Sequence, residues 1–337
     1  MRQKMRTIAM AWLALAALVF PAAASAAEGE SAGAASAKGL GRPAFTAAGK
    51  EFRFDTGALR GTLRPQGRSL GLAPVIDSAS GSTLSGGAGL MSHYRLLDSE
   101  ARYGGGAWEW SSTAKTLADG SVEASWSADA SRQIVARPTT EPAPRLPFDL
   151  KALYCWRAPN ALDLVTSVTA KKDLARFESF LASYFHGFPE SLVYVKGCPQ
   201  TGGKTGLLAA VRSHGDWQMF PRDEAALKII GDGRWKRPPN PVDWRIMPPL
   251  AGPLAVRRDA KSGLTALIMA PPDDCFAIAT PYGEEGHRSI YFSLLGRDLK
   301  AGQTATARSR LVIGRNISDE QAVAIYEAYV KEARHED

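Results

Sequence analysis

Apolar and polar residues alternate with a period of two through much of this chain. Every second residue is apolar from Phe148 to Trp156, and a similar run extends from Leu162 to Val168. Because successive side chains of an extended strand point to opposite faces, these runs predict strands with one buried face. In a third run, from Thr304 to Arg310, a register shift of one residue would turn the arginines into the core. The strand register is therefore strongly specified.

Helical patterns are few. The segment from Asp223 to Ile230 is compatible with two helical turns that end at Gly231. In the C-terminal tail, Ser318 and Gln321 have the spacing of a capping box, and the apolar residues that follow mark one helix face, which we expect to pack on a sheet. These apolar residues are Ala322, Ile325, Tyr326, Tyr329 and Val330. Many strands, few short helices and a C-terminal helix predict an all-β fold, a large antiparallel β-sandwich.

The N-terminus has the organisation of a secretory signal peptide. Three positive charges, at Arg2, Lys4 and Arg6, precede an apolar run from Ile8 to Phe20, and small residues follow at 24–26. This order matches the charged region, apolar region and cleavage site of such a peptide. The apolar run is short for a spanning helix, which makes a retained anchor the weaker interpretation. We predict a Sec-type signal peptide at 1–26 and a periplasmic or secreted protein with no membrane span after its removal.

The composition after the signal peptide predicts a leader and one domain. Residues 27–44 are rich in alanine, glycine and serine, and such a segment buries too little apolar surface to order itself. We interpret 27–44 as a flexible leader and 45–337 as a single β-sandwich domain. The formal net charge of +7 falls by three, to +4, once 1–26 is removed. Its basic residues are scattered, whereas nucleic-acid-binding proteins concentrate them on one face, so nucleic acid is not an expected partner.

The chain has three cysteines, Cys155, Cys198 and Cys275. An oxidising compartment permits a disulfide, and an odd number leaves at least one thiol unpaired. A Cys155–Cys198 bridge is compatible with the sequence, which does not select among the pairings. Because no Cys-x-x-Cys or His-x-His spacing is present, we expect neither a metal site nor another cofactor.

The segment from His214 to Leu250 combines tryptophans, prolines and arginines. Its proline density argues against a central strand, and a long loop inside a compact domain is usually functional or disordered. The candidate substrate-binding residues in this segment are Trp217, Arg222, Trp235, Arg237 and Trp244. Indole rings stack on the apolar face of a sugar ring, and arginines bind hydroxyls or carboxylates. The alternative is that the indoles only cover one open end of the sandwich.

Ionisable residues also cluster in the turn from Pro281 to Arg288. A carboxylate beside a histidine or an arginine serves as a general acid or base when its pKa is tuned. Glu285 is accordingly a candidate catalytic residue, and Tyr282, His287 and Arg288 are candidate substrate-binding residues. A solvated charged turn is the alternative interpretation.

Two strand segments carry the remaining candidates. In the segment from Ser92 to Arg95, His93 is a candidate catalytic residue and Arg95 is a candidate substrate-binding residue. In the second segment, Tyr184 and His186 are candidate catalytic residues. A lone histidine on a strand is more often a structural group than a catalyst, and this alternative stays open for both histidines.

Three stretches of the chain match motifs of one known superfamily. The first, from Asn160 to Thr169, is similar to a strand with the pattern L-x-L-x-x-x-V-T. The second, Ser183-Tyr184-Phe185-His186, is similar to a strand bearing His, Tyr and Phe, and the third is the turn from Gly296 to Thr304. Together they resemble the galactose-mutarotase-like superfamily of β-supersandwich proteins that act on or bind carbohydrates. Aldose epimerases place a histidine before the Tyr-Phe pair, whereas His186 follows it here.

The resemblance implies a sugar-related role and no single reaction. The superfamily includes epimerases, polysaccharide lyase domains, glycosidase domains and noncatalytic sugar-binding domains. Together with the predicted signal peptide, the resemblance implies an exported carbohydrate-active protein that binds a sugar or polysaccharide in a concave cleft, with lyase, hydrolase or epimerase chemistry. In a lyase or epimerase, an arginine would neutralise the sugar carboxylate or a His/Tyr pair such as Tyr184 and His186 would move the proton. In a hydrolase, Glu285 would be one of two carboxylates. A noncatalytic glycan-binding module is the alternative, and a structural or envelope-assembly protein is the second alternative.

Overall fold

The computed structural model describes residues 42–65, 71–103, 111–127, 146–238 and 240–335. The predicted signal peptide and most of the predicted leader lie outside these residues. The described residues from Arg42 onward belong to one compact unit.

Strands dominate the described residues, and only two α-helices occur among them. The strands are β1 (Phe45–Ala48), β2 (Glu51–Asp55), β3 (Leu59–Arg64), β4 (Gly71–Asp77), β5 (Ser92–Leu97), β6 (Arg102–Tyr103), β7 (Ser111–Thr116), β8 (Val122–Ser127), β9 (Phe148–Ala158), β10 (Ala161–Ala170), β11 (Leu174–Tyr184), β12 (Glu190–Val195), β13 (Gly206–Ala209), β14 (Trp217–Pro221), β15 (Arg245–Ile246), β16 (Leu250–Asp259), β17 (Leu264–Met269), β18 (Cys275–Pro281), β19 (Ser289–Leu299) and β20 (Thr304–Arg315). The helices are α1 (Glu224–Ile230) and α2 (Asp319–His335). The predicted all-β class is confirmed.

The strands form three sheets. A four-stranded sheet has the order β1-β2-β3-β4, and a nine-stranded sheet has the order β13-β12-β16-β17-β20-β10-β9-β8-β7. The seven-stranded sheet has the order β15-β14-β18-β19-β11-β5-β6. The described strand pairs are antiparallel except for the short pair of β14 and β15, which is parallel. The sheets are thus those of the predicted antiparallel sandwich.

The two large sheets share one core, to which the predicted alternation contributes directly. Along β9, the apolar set that includes Leu150 and Trp156 is buried. Leu164 on β10 and Phe292 on β19 belong to the same apolar cluster, so the inner faces of the two sheets pack on each other. On β20, Arg308 and Arg310 alternate with buried residues, as their spacing predicts. Removing this apolar surface from water is the main favourable term for the fold.

The outer faces of both large sheets are covered too. Helix α2 packs Tyr326 and Tyr329 on apolar residues of β16 and β17, such as Val256 and Leu267. On the seven-stranded sheet, α1 and the segment that follows it pack on Phe180 and its neighbours. A sheet buried on both faces reads as a continuous apolar run, which explains why β17 and β18 do not alternate.

Both predicted helices are present with their expected caps. The Asp223 side chain accepts a hydrogen bond from the backbone nitrogen of Ala226 at 2.8 Å, and α1 ends at Gly231. Before α2, the backbone nitrogen of Ser318 donates to the Gln321 side chain at 2.9 Å, and the Gln321 backbone nitrogen donates back at 3.2 Å. This reciprocal pair is the capping box.

One expectation from the sequence needs correction. The segment from His214 to Leu250 is not one long loop, because it contains β14, α1 and β15. Strand β14 lies second from the sheet edge, where its one proline, Pro221, is the last residue and does not interrupt the pairing. The sequence left the cysteine pairing open, and in the structure all three cysteines are unpaired thiols.

Candidate functional site

A cleft of about 490 Å³ opens on the outer face of the seven-stranded sheet. Residues of β5, β11 and β19 form its floor, and the segment 240–244 forms one wall. The lining residues are Tyr94, Arg95, Phe180, Tyr184, Trp217, Asn240, Pro241, Val242, Asp243, Trp244, His287 and Tyr291. Flat aromatic surfaces with a few polar groups are the usual composition of a small-molecule site.

A bulge in β5 places two adjacent residues in this cleft. His93 pairs with Leu181 and Arg95 pairs with Phe180 on β11, so Tyr94 is an extra residue between the two pairs. A bulge breaks the strict alternation of a strand and redirects a side chain. Tyr94 and Arg95 therefore both line the cleft, while His93 is buried in the core.

Two tyrosines on adjacent strands form a hydrogen-bonded chain at the cleft floor. The Ser289 hydroxyl donates to the Tyr291 hydroxyl at 2.8 Å, and the Tyr291 hydroxyl donates to the Tyr184 hydroxyl at 3.3 Å. Burial raises the pKa of the Tyr184 and Tyr291 phenols. Both rings therefore stay neutral at pH 7. The groups that the cleft floor presents to a ligand are hydroxyls and not phenolates.

Arg95 brings a positive charge to the cleft and is only 7% exposed. Its guanidinium carbon lies 5.1 Å from the ring centroid of Tyr94 and 5.7 Å from that of Trp235. The one hydrogen bond described for it, from Nη1 to the carbonyl oxygen of Asn240, is long at 3.5 Å. Among the described residues, no carboxylate contacts Arg95 and its Nε has no partner. Aromatic faces thus hold this cation.

Three indole rings pack edge to face along the cleft. The ring centroid of Trp244 lies 5.2 Å from that of Trp235 and 6.0 Å from that of Trp217. Trp217 and Trp244 line the cleft. Trp235 is buried against Phe180, with 4.6 Å between the ring centroids. Trp235 therefore packs behind the lining residues Phe180 and Trp244 and does not line the cleft itself.

A buried ion-pair network fixes the segment that carries these indoles. The Arg234 guanidinium donates to the carboxylate of Glu178 on β11 at 2.9 Å and to that of Asp232 at 2.9 Å. The carbonyl oxygen of Trp235 accepts a hydrogen bond from the backbone nitrogen of Val242 at 2.9 Å. The wall at 240–244 is thereby tied to the sheet that forms the floor.

His287 reaches the cleft from the loop between β18 and β19. Its Nδ1 lies 2.8 and 3.0 Å from the two carboxylate oxygens of Glu285, and its backbone nitrogen donates to the same carboxylate at 2.7 Å. Since a carboxylate only accepts, this contact places a proton on Nδ1 and leaves Nε2 for a ligand. The Trp217 ring contacts the imidazole edge to face at 5.4 Å. A carboxylate behind a histidine orients the imidazole for proton transfer.

The structure brings together most of the site predicted from the loops. Arg95, Tyr184, Trp217, Trp244 and His287 line one cleft. Glu285 contacts His287, and Trp235 packs beneath the lining. These seven residues thus lie in or next to one cleft, and their roles in binding or catalysis stay predictions.

Two of the predicted catalytic histidines lie elsewhere. His93 is fully buried between the sheets, with its Nε2 2.8 Å from the Thr166 hydroxyl and its ring 5.5 Å from that of Trp126. Burial lowers the pKa of His93 to about 3, so the ring is neutral. His186 is exposed beyond the end of β11 and does not line the cleft. Neither imidazole lines this cleft, and the catalytic role predicted for each histidine stays a prediction.

Four predicted substrate-binding residues are also outside the lining. Arg222 lies at the opposite end of β14 from the cleft and pairs with the adjacent aspartate at 2.8 Å. Arg237 donates to two backbone carbonyl oxygens that follow β5. Tyr282 packs against an arginine, 5.6 Å from its ring centroid. Arg288, at the end of the β18–β19 loop, does not line the cleft either.

Sequence reasoning missed several lining residues on the sheet itself. Phe180 on β11 and Tyr291 on β19 stack with ring centroids 4.7 Å apart, and Tyr94 lies on the bulge. Asp243 and Asn240 complete the wall. The available signal is the presence of aromatic residues on the faces of β11 and β19 that point away from the core between the sheets.

Two negative findings apply to the described part of the chain. It contains no group of three or more His, Cys, Asp or Glu side chains that could hold a metal ion. Within the same residues, no helix combines the length and apolarity needed to cross a membrane.

No protein-family model matches this sequence, and no curated protein matches it at a significant level. Several solved structures are similar to it. An α-N-acetylgalactosaminidase from Bifidobacterium bifidum is 12% identical, with a TM-score of 0.46 over 86% of this chain and 39% of that one. A galactose mutarotase related enzyme from Lactobacillus acidophilus is 9% identical, with a TM-score of 0.45 over 80% of this chain and 99% of that one. A heparan sulfate lyase from Pedobacter heparinus is 7% identical, with a TM-score of 0.40 over 81% of this chain and 36% of that one.

The chain thus spans 39% of the length of the galactosaminidase. One of the three structures is described as a galactose mutarotase related enzyme.

Proposed function

We propose that this protein binds a saccharide in the aromatic cleft. A sugar ring has apolar C–H faces and a polar edge of hydroxyls. The indoles of Trp217 and Trp244 and the phenol ring of Tyr94 offer flat surfaces for the faces, and Arg95, Tyr184 and His287 offer polar contacts for the edge. The cleft volume of about 490 Å³ lies in the usual range for small-ligand sites. The observation that carries this proposal is the pair of lining indoles beside convergent polar groups.

Calorimetric titration of the mature protein with a panel of oligosaccharides tests the proposal. We expect saturable binding of at least one oligosaccharide with a Kd at or below about 1 mM. The absence of heat and of any thermal-melt response across neutral, acidic and amino sugars would overturn it. A stoichiometric protein partner under the same conditions would favour an envelope-assembly role instead.

The second candidate function is catalysis on the bound saccharide, and the contact between His287 and Glu285 favours it. In this hypothesis, Nε2 of His287 moves a proton while Glu285 holds Nδ1, and Tyr184 donates a hydrogen bond to the substrate. The products distinguish the reactions: an unsaturated product indicates a lyase, new reducing ends indicate a hydrolase, and anomer exchange indicates an epimerase. His287→Gln should then reduce turnover by about a hundredfold or more with little change in ligand affinity. If the saccharide binds and no product forms, the protein is a noncatalytic glycan-binding module.

We further propose that the protein is exported and acts outside the cytoplasm. The charged region, apolar run and small residues within 1–26 support this localisation. The test is the intact mass and N-terminal sequence of the protein recovered from the periplasm or medium. We expect a chain that begins at Ala27, and an unprocessed chain in the cytoplasm would contradict the proposal.

A further inference from the structure

We propose that the saccharide bound in this cleft carries an anionic group, and that Arg95 is the residue that binds this group. The inference rests on the proposed saccharide site and specifies the chemical class of its ligand. It starts from an unusual feature of Arg95: a nearly buried guanidinium to which the described residues offer no carboxylate and only one long hydrogen bond.

The other two buried arginines of the described residues, Arg234 and Arg257, have several hydrogen-bond acceptors each. Arg234 donates to two carboxylates and one backbone carbonyl oxygen, at distances of 2.9 Å. Arg257 has no carboxylate but donates to four protein oxygens. Among the described residues Arg95 makes a single hydrogen bond, of 3.5 Å, and lacks both the carboxylates of Arg234 and the four acceptors of Arg257. The hydrogen-bonding capacity of Arg95 is therefore left for something that enters the cleft.

The acidic residues near the cleft are already engaged. Glu178 pairs with Arg234, and Glu285 contacts His287. Asp243 lines the cleft, but its side chain is 91% exposed and lies 2.5 Å from Nζ of Lys236. None of these carboxylates contacts Arg95.

A buried charge without a counter-ion is unfavourable, and stacking on the faces of Tyr94 and Trp235 offsets this only in part. An anion placed beside the guanidinium would supply the missing charge. The planar fork of guanidinium donors fits a carboxylate or a sulfate ester, each of which accepts two parallel hydrogen bonds. The ligand class is accordingly an acidic saccharide, a uronate or a sulfated sugar.

The test is calorimetric titration with matched ligand pairs. The first pair is a uronate oligosaccharide and its neutral methyl ester, and the second is a sulfated oligosaccharide and its desulfated form. We expect one acidic member to bind at least about tenfold more tightly than its neutral counterpart. We also expect that preference to weaken with added salt, because salt screens charge interactions. The pair that shows the preference identifies the anion.

Two variants of Arg95 and a control complete the test. Arg95→Gln should lower the affinity for the acidic ligand to that for its neutral counterpart, and Arg95→Lys, which keeps the charge but loses the planar fork of donors, should retain part of the preference. Arg222→Gln, at the other end of β14, should leave the preference unchanged. Equal binding of both members, or a preference that persists in Arg95→Gln, would overturn the inference while the saccharide site survives. Binding of no saccharide at all would overturn both proposals.

Discussion

Arg257 on β16 donates a hydrogen bond to the carbonyl oxygen of Gly283 at 2.9 Å, across the interior of the sandwich. Its guanidinium also donates to the carbonyl oxygens of Phe188 and Ser289 and to the Thr280 hydroxyl. Burial lowers the pKa of Arg257 to about 9, so the side chain stays cationic at neutral pH. One fully buried side chain thus fixes both ends of the loop that presents Glu285 and His287.

Arg257→Met should lower the free energy of unfolding by about 3 kcal/mol or more, because the buried oxygens lose their donor. The measurement is denaturant unfolding of the two proteins. Arg258→Met is the matched control, since Arg258 is partly exposed and pairs with Asp319 at 2.6 Å. This control variant should lower the free energy of unfolding by about 1 kcal/mol or less. Equal losses in the two variants would contradict the role given to Arg257.

The buried His93 predicts how stability depends on pH. Its pKa is about 3 in the folded protein, against 6.5 for an ordinary histidine. Between these values the unfolded chain binds a proton that the folded protein does not, so stability falls as the pH falls below about 6.5. His93 alone should lower the free energy of unfolding by about 2 kcal/mol at pH 5 relative to its value at neutral pH.

The check is thermal or denaturant unfolding between pH 7 and pH 5 for the wild type and His93→Gln. The variant lowers stability at pH 7 but should show a smaller pH slope, because the titrating group is gone. An unchanged slope would mean that His93 is not the group responsible.

The lining indoles should dominate the affinity for saccharide. Trp244→Ala removes a large flat surface from the cleft and should weaken binding by about tenfold or more. Tyr282→Ala is the control, because this aromatic residue lies outside the cleft lining. Calorimetry with the best oligosaccharide of the panel measures both. The idea is wrong if the tyrosine variant loses as much affinity as the tryptophan variant.

The thiols give a prediction that is independent of the ligand. Denatured, non-reduced protein should titrate with three thiols per chain, because Cys155, Cys198 and Cys275 are all unpaired. In the native protein, Cys275 should react last, since burial raises the pKa of its thiol and blocks access. A titre of one thiol per chain would show that a disulfide forms.

Much of the fold could be predicted from the sequence because its signals are local. Alternation in Phe148–Ala158 and Thr304–Arg315 gives the buried faces of β9 and β20. Asp223 and Ser318 supply helix caps that depend only on near neighbours. Strand β14 was missed because prolines around it obscured five residues that pair with β18.

The cleft was harder to predict because it depends on contacts between distant strands. Tyr94 and Arg95 face the same side only because β5 bulges against β11, and a bulge leaves no reliable mark in a single strand sequence. The same bulge turns the neighbouring His93 inward. The direction in which each side chain points, and not its chemistry, therefore places Arg95 in the cleft and His93 in the core.

The most direct test of the saccharide site is a crystal structure of the protein with its best-binding oligosaccharide. We expect density for a sugar ring packed on Trp217 or Trp244, with its acidic group against the Arg95 guanidinium. A saccharide bound at any other surface, with the cleft on the seven-stranded sheet empty at saturating ligand, would contradict it.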